Sequence, residues 1–277
     1  MNASRIWTYI GFAIFIFIVL FPIYVIVAAS LTPQSDLLSS PPEFIPRTLT
    51  LDNYRRMADQ LPFSSYLKNS LIFSLGSSFM AVLVSFLAAY AFARLEFPFR
   101  GFFFIVVLLS TTLPSIATVI PLFRLLRRFD LVNTQQGLIL LMGSVLTPFT
   151  VWVMTAFVRQ IPKEIEEAAR LDGAGILQVM FRMVLPLTLP AVATLFLINF
   201  ITTWNELFFP LVFATKNDVK PLTIGLVELT TGAGGTGSGR PWDLMSSLAV
   251  VMILPAVLLV TVFQRVFVRG LTQGAVK

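Results

Sequence analysis

The sequence contains no cysteine and no histidine. Disulfides, thiolate nucleophiles, imidazole bases and imidazole metal sites are excluded together, and cysteine usage says nothing of redox compartment. Charge is scarce too, since Asp, Glu, Lys and Arg make up 12% of the 277 residues. No cluster of acids forms a catalytic set or a metal site. Phosphate-binding loops are missing as well. Gly232-Ala233-Gly234-Gly235-Thr236-Gly237 has the letters of a dinucleotide fingerprint, but neither the preceding strand nor the following helix that such a site needs. The spacing from Gly234 to Gly239 is followed by Arg240-Pro241, where a nucleoside-triphosphate loop requires Lys and a hydroxyl. This chain therefore has no means of its own to hydrolyse ATP. The net charge of +6 is scattered, with no basic run beyond Arg127-Arg128. That pattern suits anionic lipid headgroups and not nucleic acid.

What the sequence does contain is apolar surface. Hydrophobic residues make up 56%, 27 of them Phe, and mean hydropathy is +0.84. Those values indicate an all-α polytopic membrane protein. Six runs are long enough to cross a hydrocarbon core of about 30 Å at about 1.5 Å per residue. They fall at about 6–29, 66–93, 102–125, 136–157, 187–210 and 244–267. The first exceeds the apolar core of a signal peptide and is read as a retained span, despite the small residues Ala28-Ala29-Ser30. No soluble domain is expected, so residues 1–277 form a single membrane domain. A short surface helix is expected over Leu51 to Met57.

Several spans carry groups that lipid does not tolerate. The third is interrupted at Thr111-Thr112-Leu113-Pro114-Ser115 and again at Pro121. The fourth carries Gly143-Ser144 and Thr147-Pro148, and the second has Ser74, Gly76, Ser77, Ser78 and Ser85. Proline frees carbonyls that need protein or water partners at membrane depth, which marks helices facing a bundle interior or a cavity. Thr111, Thr112, Ser115, Ser144, Thr147, Asn199 and Asn205 are the candidates for a translocation path. Kinked packing suits the prolines equally, and an interhelical hydrogen bond suits Asn199. Glu206 falls near the far interface of the fifth span, where its charge costs little.

The longest charged, amphipathic stretch runs from Pro162 to Gly173 and continues to Leu185-Pro186. Pro162 suits a helix start, and Glu164, Glu166 and Glu167 favour the positive end of the helix dipole. Ala168 and Ala169 keep one face slim. Gly173 is a left-handed stop, and a second short helix is expected from about Ile176 to Val184. Two short helices at an angle between spans make a docking knob; a solvated loop helix is the plainer alternative.

Glu167-Ala168-Ala169, three residues, Gly173, nine residues, then Met183-x-Leu185-Pro186 resembles the EAA loop of ABC importer permeases, with Met183 where the pattern prefers Ile. The string Trp204-Asn205-Glu206-Leu207-Phe208-Phe209-Pro210-Leu211 and the ending Arg269-Gly270-Leu271-Thr272-Gln273-Gly274-Ala275-Val276-Lys277 are similar to the six-span second permease of the maltose-type carbohydrate uptake family. The resemblance covers essentially the whole chain.

It implies the type I importer permease fold, with the loop at about 160–186 as a cytoplasmic coupling helix against a separate ATPase. Glu166, Glu167, Ala168, Ala169, Asp172, Gly173, Leu185 and Pro186 would then be the coupling residues. The implied partners are a homologous second permease in a heterodimer, two ATPase subunits, an extracytoplasmic solute-binding protein and the lipid bilayer. ATP and Mg would reside in the partners, with no cofactor, metal or catalytic residue here. Both termini would be cytoplasmic in a prokaryotic inner membrane. Lys and Arg divide evenly between the two sides in that orientation, so charge bias alone leaves it open. The Gly-rich loop, with Gly232, Gly234, Gly235, Gly237 and Gly239, would face the binding protein; a passive connector is the alternative. The slim C-terminal tail would enter a subunit interface; a frayed terminus is the alternative. Import of a peptide, polyamine or phosphonate by the same fold, and a stand-alone channel or membrane enzyme, are the competing classes.

Overall fold

The computed structural model describes residues 3–39, 45–231 and 240–275. Among them every regular element is a helix. α1 is Ala3–Ser30, α2 Gln34–Leu37 and α3 Asp52–Gln60. α4 (Phe63–Arg94) leads to α5 (Arg100–Leu109), a 3₁₀ turn (Ser110–Thr112) and α6 (Ser115–Arg128). α7 is Gln135–Gln160, α8 Lys163–Leu171 and α9 Ile176–Val179, followed by a π turn (Met180–Val184) and α10 (Leu185–Trp204). α11 (Phe208–Phe213), α12 (Leu222–Thr231) and α13 (Trp242–Ala275) complete the order.

Among the described residues, five stretches are long and apolar enough to cross a membrane: Trp7–Ser30, Phe63–Arg94, Gln135–Gln160, Ile176–Trp204 and Trp242–Val262. The pair Arg100–Thr112 and Ser115–Arg128 passes the same test but bends by 105° at its break. Counted as one span, it brings the number to six. The bend falls at Thr111 to Ser115, as the sequence predicts: Leu113 and Pro114 are extended, with ψ of 125° and 129°. A residue before proline is driven out of the helical region, and the ring supplies no N–H. Pro121, by contrast, lies inside α6 without breaking it.

The fifth span departs most from expectation. Its helix starts at Ile176 and ends at Trp204, so the expected second short helix of the docking loop is the beginning of this span. The π turn explains the continuity. Leu185 N donates to Met180 O across five residues, and the widened turn leaves room for the Pro186 ring where no donor is needed. At the other end Asn205, Glu206 and Leu207 leave the helix, and Phe208–Phe213 forms α11.

The chain divides into two compact units. One consists of the described residues of Met1–Ser64 and Ile224–Ala256. In it α1 is exposed over nearly all of its apolar length, and a polar knot closes its C-terminal end. Asn53 Nδ2 donates to the carbonyls of Ser30 (3.0 Å) and Thr32 (2.8 Å), and Ser247 Oγ donates to Ser30 O at 3.3 Å. Asp243, buried, pairs with Arg56, while Gln34 Nε2 donates to Arg240 O at 2.8 Å. On the exposed side of this knot the hydroxyls of Thr48 and Ser35 donate to Asp36 and hold its carboxyl below the usual carboxylate range, with Arg47 adding to the effect.

The second unit, the described residues of Ser65–Thr223 and Val257–Lys277, holds the docking stretch and all seven path candidates. Here α4 lies close on α7. A Cβ built on Gly76 would stand 2.7 Å from Ile139, and one on Gly143 would stand 2.8 Å from Met80. Ser85 Oγ donates across to Thr147 O at 3.2 Å. Small residues permit this approach where lipid offers no hydrophobic drive. One apolar cluster joins Phe73, Leu138, Leu141, Met142, Phe209 and Phe213. A second joins Phe86, Ala89 and Tyr90 of α4 and Met154 and Val158 of α7 with Ala169, Val179, Met180 and Val184. The inner face of the docking stretch is thus continuous with the span core.

The expected Gly-rich contact residues Gly232, Gly234, Gly235, Gly237 and Gly239 lie outside the described residues. So do Val276 and Lys277 of the tail, whose preceding backbone is helical to Ala275.

Candidate functional site

Pro162 precedes α8 as its N-cap residue and Asp172 follows as the C-cap. Along α8 the side chains sort by period. Glu166 and Ala169 are buried, while Glu167, Ala168 and Asp172 are exposed. Gly173 stands at φ +88°, the left-handed region open to glycine at little cost. Gly173 N donates to Arg170 O and Ala174 N to Ala169 O, both at 3.0 Å, so the stop closes the last turn. Gly175 N then donates to Gln178 Oε1 at 3.1 Å and starts α9.

This stop turns apolar side chains outward at its two flanks. Leu171 is 89% exposed and Leu177 67%, with Ile165 and Ile176 also exposed. An exposed, amphipathic tip of this kind, rimmed by Glu167 and Asp172, has the composition of a protein contact surface. Leu185 is half-buried and Pro186 exposed, both in the first turn of α10.

Glu166 takes part in a buried network that the sequence did not disclose. Its Oε1 accepts from Arg94 Nε at 2.5 Å, and its Oε2 accepts from Tyr90 Oη at 3.1 Å. Arg94 Nη2 also donates to the Ile161 carbonyl at 2.6 Å. The only sequence signal was an arginine closing a span. Its partner is 72 residues away, too far for any local pattern to show.

The path candidates separate by where the structure places them. Thr111, Ser115 and Ser144 line one cavity of about 460 Å³ together with Thr118, Pro148 and Phe149. Three of its hydroxyls donate within their own segments: Thr111 Oγ1 to Leu108 O at 2.7 Å, Thr118 Oγ1 to Ser115 O at 2.8 Å and Ser144 Oγ to Leu141 O at 2.6 Å. They keep acceptor capacity toward the cavity. Thr112 and Thr147 bond to their own helices and do not line it. Asn205 is exposed, with Nδ2 donating to Ile201 O at 2.8 Å.

Asn199 is 1% exposed and pairs with Thr150 of α7. Its Nδ2 donates to Thr150 Oγ1 at 3.1 Å. That pair is the interhelical hydrogen bond that the position also suits. Asn199→Leu should leave the Thr150 hydroxyl unpartnered by Asn199 and lower the thermal stability of the purified protein by about 1–2 kcal/mol. A thermal-shift measurement checks this, and an unchanged melting point would remove the pair from the stability account. Glu206 is a cap: its Oε1 accepts from Phe209 N at 3.1 Å at the start of α11.

The family model described as binding-protein-dependent transport system inner membrane component matches residues 81–273. The chain belongs to this family of permeases. Among its relatives, the arabinooligosaccharides transport system permease protein of Halalkalibacterium halodurans is 34% identical to the permease, over 97% of this chain and 95% of the relative. The trehalose transport system permease protein of Mycobacterium tuberculosis is 36% identical, over 93% and 92% of the two chains. A bacterial ABC transporter involved in import of the acidic polysaccharide alginate superposes with a TM-score of 0.81 at 23% identity, covering 96% of the permease and 98% of that chain. At that identity the likeness speaks for the fold, which is the type I importer permease fold expected from the sequence. The matched span contains α8, Gly173 and the hydroxyl-lined cavity, so the features described above lie within the family's shared region.

Proposed function

We propose that the permease is one of two membrane subunits of an ATP-driven importer that takes a sugar or oligosaccharide from an extracytoplasmic binding protein. The observation that carries the substrate class is the near full-length similarity, at 34% and 36%, to permeases named for arabinooligosaccharides and trehalose. The cavity suits a neutral ligand: the hydroxyls of Thr111, Ser115, Thr118 and Ser144 stand among apolar side chains such as Leu113, Leu122 and Phe149, and no Asp, Glu, Lys or Arg is among its described lining residues. A peptide, polyamine or phosphonate would call for a charge partner in such a site.

The tip formed by α8 and the start of α9 is the coupling surface in this reading, placed in the cytoplasm with both termini. Its exposed leucines enter a groove of a separate ATPase subunit, where ATP and Mg are held. Closure of two ATPase subunits displaces α8, and the shared core of Ala169, Val179 and Val184 carries the displacement into the spans. The bent α5–α6 segment presents extended backbone at membrane depth. Such backbone is stable only against protein or water, so this face is covered by a homologous second permease and the shared cavity between them is the path.

Two measurements test the proposal. Calorimetry of the cognate binding protein against neutral oligosaccharides, peptides and polyamines should show binding of the oligosaccharides alone; tight binding of a peptide or polyamine would reassign the substrate. Single cysteines replacing Thr111, Ser115 and Ser144 should react with water-soluble thiol reagents, at rates that differ between nucleotide-free and vanadate-trapped complexes. The native chain has no cysteine to interfere. Equal protection in both states would remove these residues from the path.

A further inference from the structure

Force transfer from α8 needs more than apolar contact. Hydrophobic packing is non-directional, so the burial of Ala169 does not fix how α8 is angled on the spans. The directional bonds converge on one side chain. Arg94, the last residue of α4, binds Glu166 in the first turn of α8 and the carbonyl of Ile161 at the C-terminal end of α7. The ion-pair side chains are only 5% and 4% exposed. Tyr90, one turn back on α4, occupies the second carboxylate oxygen of Glu166, and Arg170 of α8 approaches the Tyr90 hydroxyl at 3.5 Å. One guanidinium therefore joins the ends of α4 and α7 to α8.

A buried ion pair adds little net stability, because desolvation offsets its attraction, and an apolar pair of similar size would hold the elements together as well. What the planar, forked guanidinium adds is direction. We infer that Arg94, acting through Glu166, is a positioning residue for coupling: it sets the angle of α8 so that displacing α8 moves α4 and α7 as one body. The inference rests on the coupling reading given above. It also divides the adjacent glutamates. Glu166 is turned inward to the spans, and Glu167 is exposed. Ser144 of α7 lines the cavity, so rotation of α7 through this tie reaches the path directly.

The test uses the complete importer in nanodiscs, with the thiol-labelling switch of a Ser144→Cys reporter read in nucleotide-free and vanadate-trapped states. Glu166→Gln removes the charge. Arg94→Met combined with Glu166→Met replaces the buried pair by apolar groups that preserve packing. In both, the ATPase subunits should remain bound while the nucleotide-dependent change in labelling rate falls about tenfold, within the about 5–150-fold range of a coupling between sites. A full labelling switch in the double-Met complex would overturn the inference. Loss of the ATPase subunits from that complex would overturn it too, by showing a role in assembly alone. Leu171→Asp, assayed in parallel, reports on the coupling surface itself. If it releases the ATPase subunits while the double-Met complex switches normally, only the positioning role fails. If it leaves them bound and active, the coupling reading fails.

Discussion

Gly173→Val is expected to abolish nucleotide-driven switching of the cavity while leaving the spans folded. At φ +88° a side chain is strained by the backbone alone, and a Cβ built there meets nothing within 4 Å. The effect is therefore conformational and not steric crowding. Left-handed geometry costs an L-residue about 1–2 kcal/mol, more when β-branched, and the chain would relieve it by unwinding the stop. The bonds from Gly173 and Ala174 to Arg170 and Ala169 would open, and Leu171 and Leu177 would lose their common presentation. Asparagine tolerates this region, so Gly173→Asn should keep most of the switch. Labelling of the Ser144→Cys reporter checks both variants. A normal switch in Gly173→Val would show that the stop has no part in coupling.

Leu171→Asp should release the ATPase subunits. With 89% of its surface exposed, Leu171 contributes almost nothing to the fold of this chain, so the substitution should leave permease stability unchanged. Burying a leucine in a partner groove is worth about 1.5–3 kcal/mol, and a carboxylate forced into the same groove adds a desolvation penalty. Together these predict a loss of ATPase affinity of at least about a hundredfold, at about 1.4 kcal/mol per tenfold. Leu171→Met, similar in volume and hydrophobicity, should bind nearly as the native chain. Co-purification and surface plasmon resonance with the ATPase subunit measure the difference. Equal binding by the Asp variant would place the coupling surface elsewhere on the chain.

The two positions illustrate how local signals survive into the structure. Both lie within a stretch whose meaning depends on neighbours in sequence: a glycine that must be left-handed, and a helix whose period separates inward from outward side chains. Glu206 shows the limit of the same reasoning. Counting along a helix placed it at the end of the fifth span, but the helix ends at Trp204, and the carboxylate instead caps α11.

By itself the sequence determined the membrane class, the approximate spans, the break at Thr111 to Ser115 and the left-handed stop at Gly173. Each follows from a requirement that acts over a few residues to about one span: apolar length against lipid thickness, a missing N–H, or an allowed φ. Only the tertiary structure decided which polar groups belong to the cavity and which to the core. Thr111, Ser115 and Ser144 share a cavity, whereas Asn199 closes on Thr150 across 49 residues and Glu166 on Arg94 across 72. Nor could local rules show that the fifth span runs back through Pro186, since the π turn that admits the ring is held by packing of Met180 and Val184 in the span core. The physical reason is common to all three. Buried polar groups and irregular turns are satisfied by partners that the fold brings near, and the identity of those partners is not written in the residues beside them.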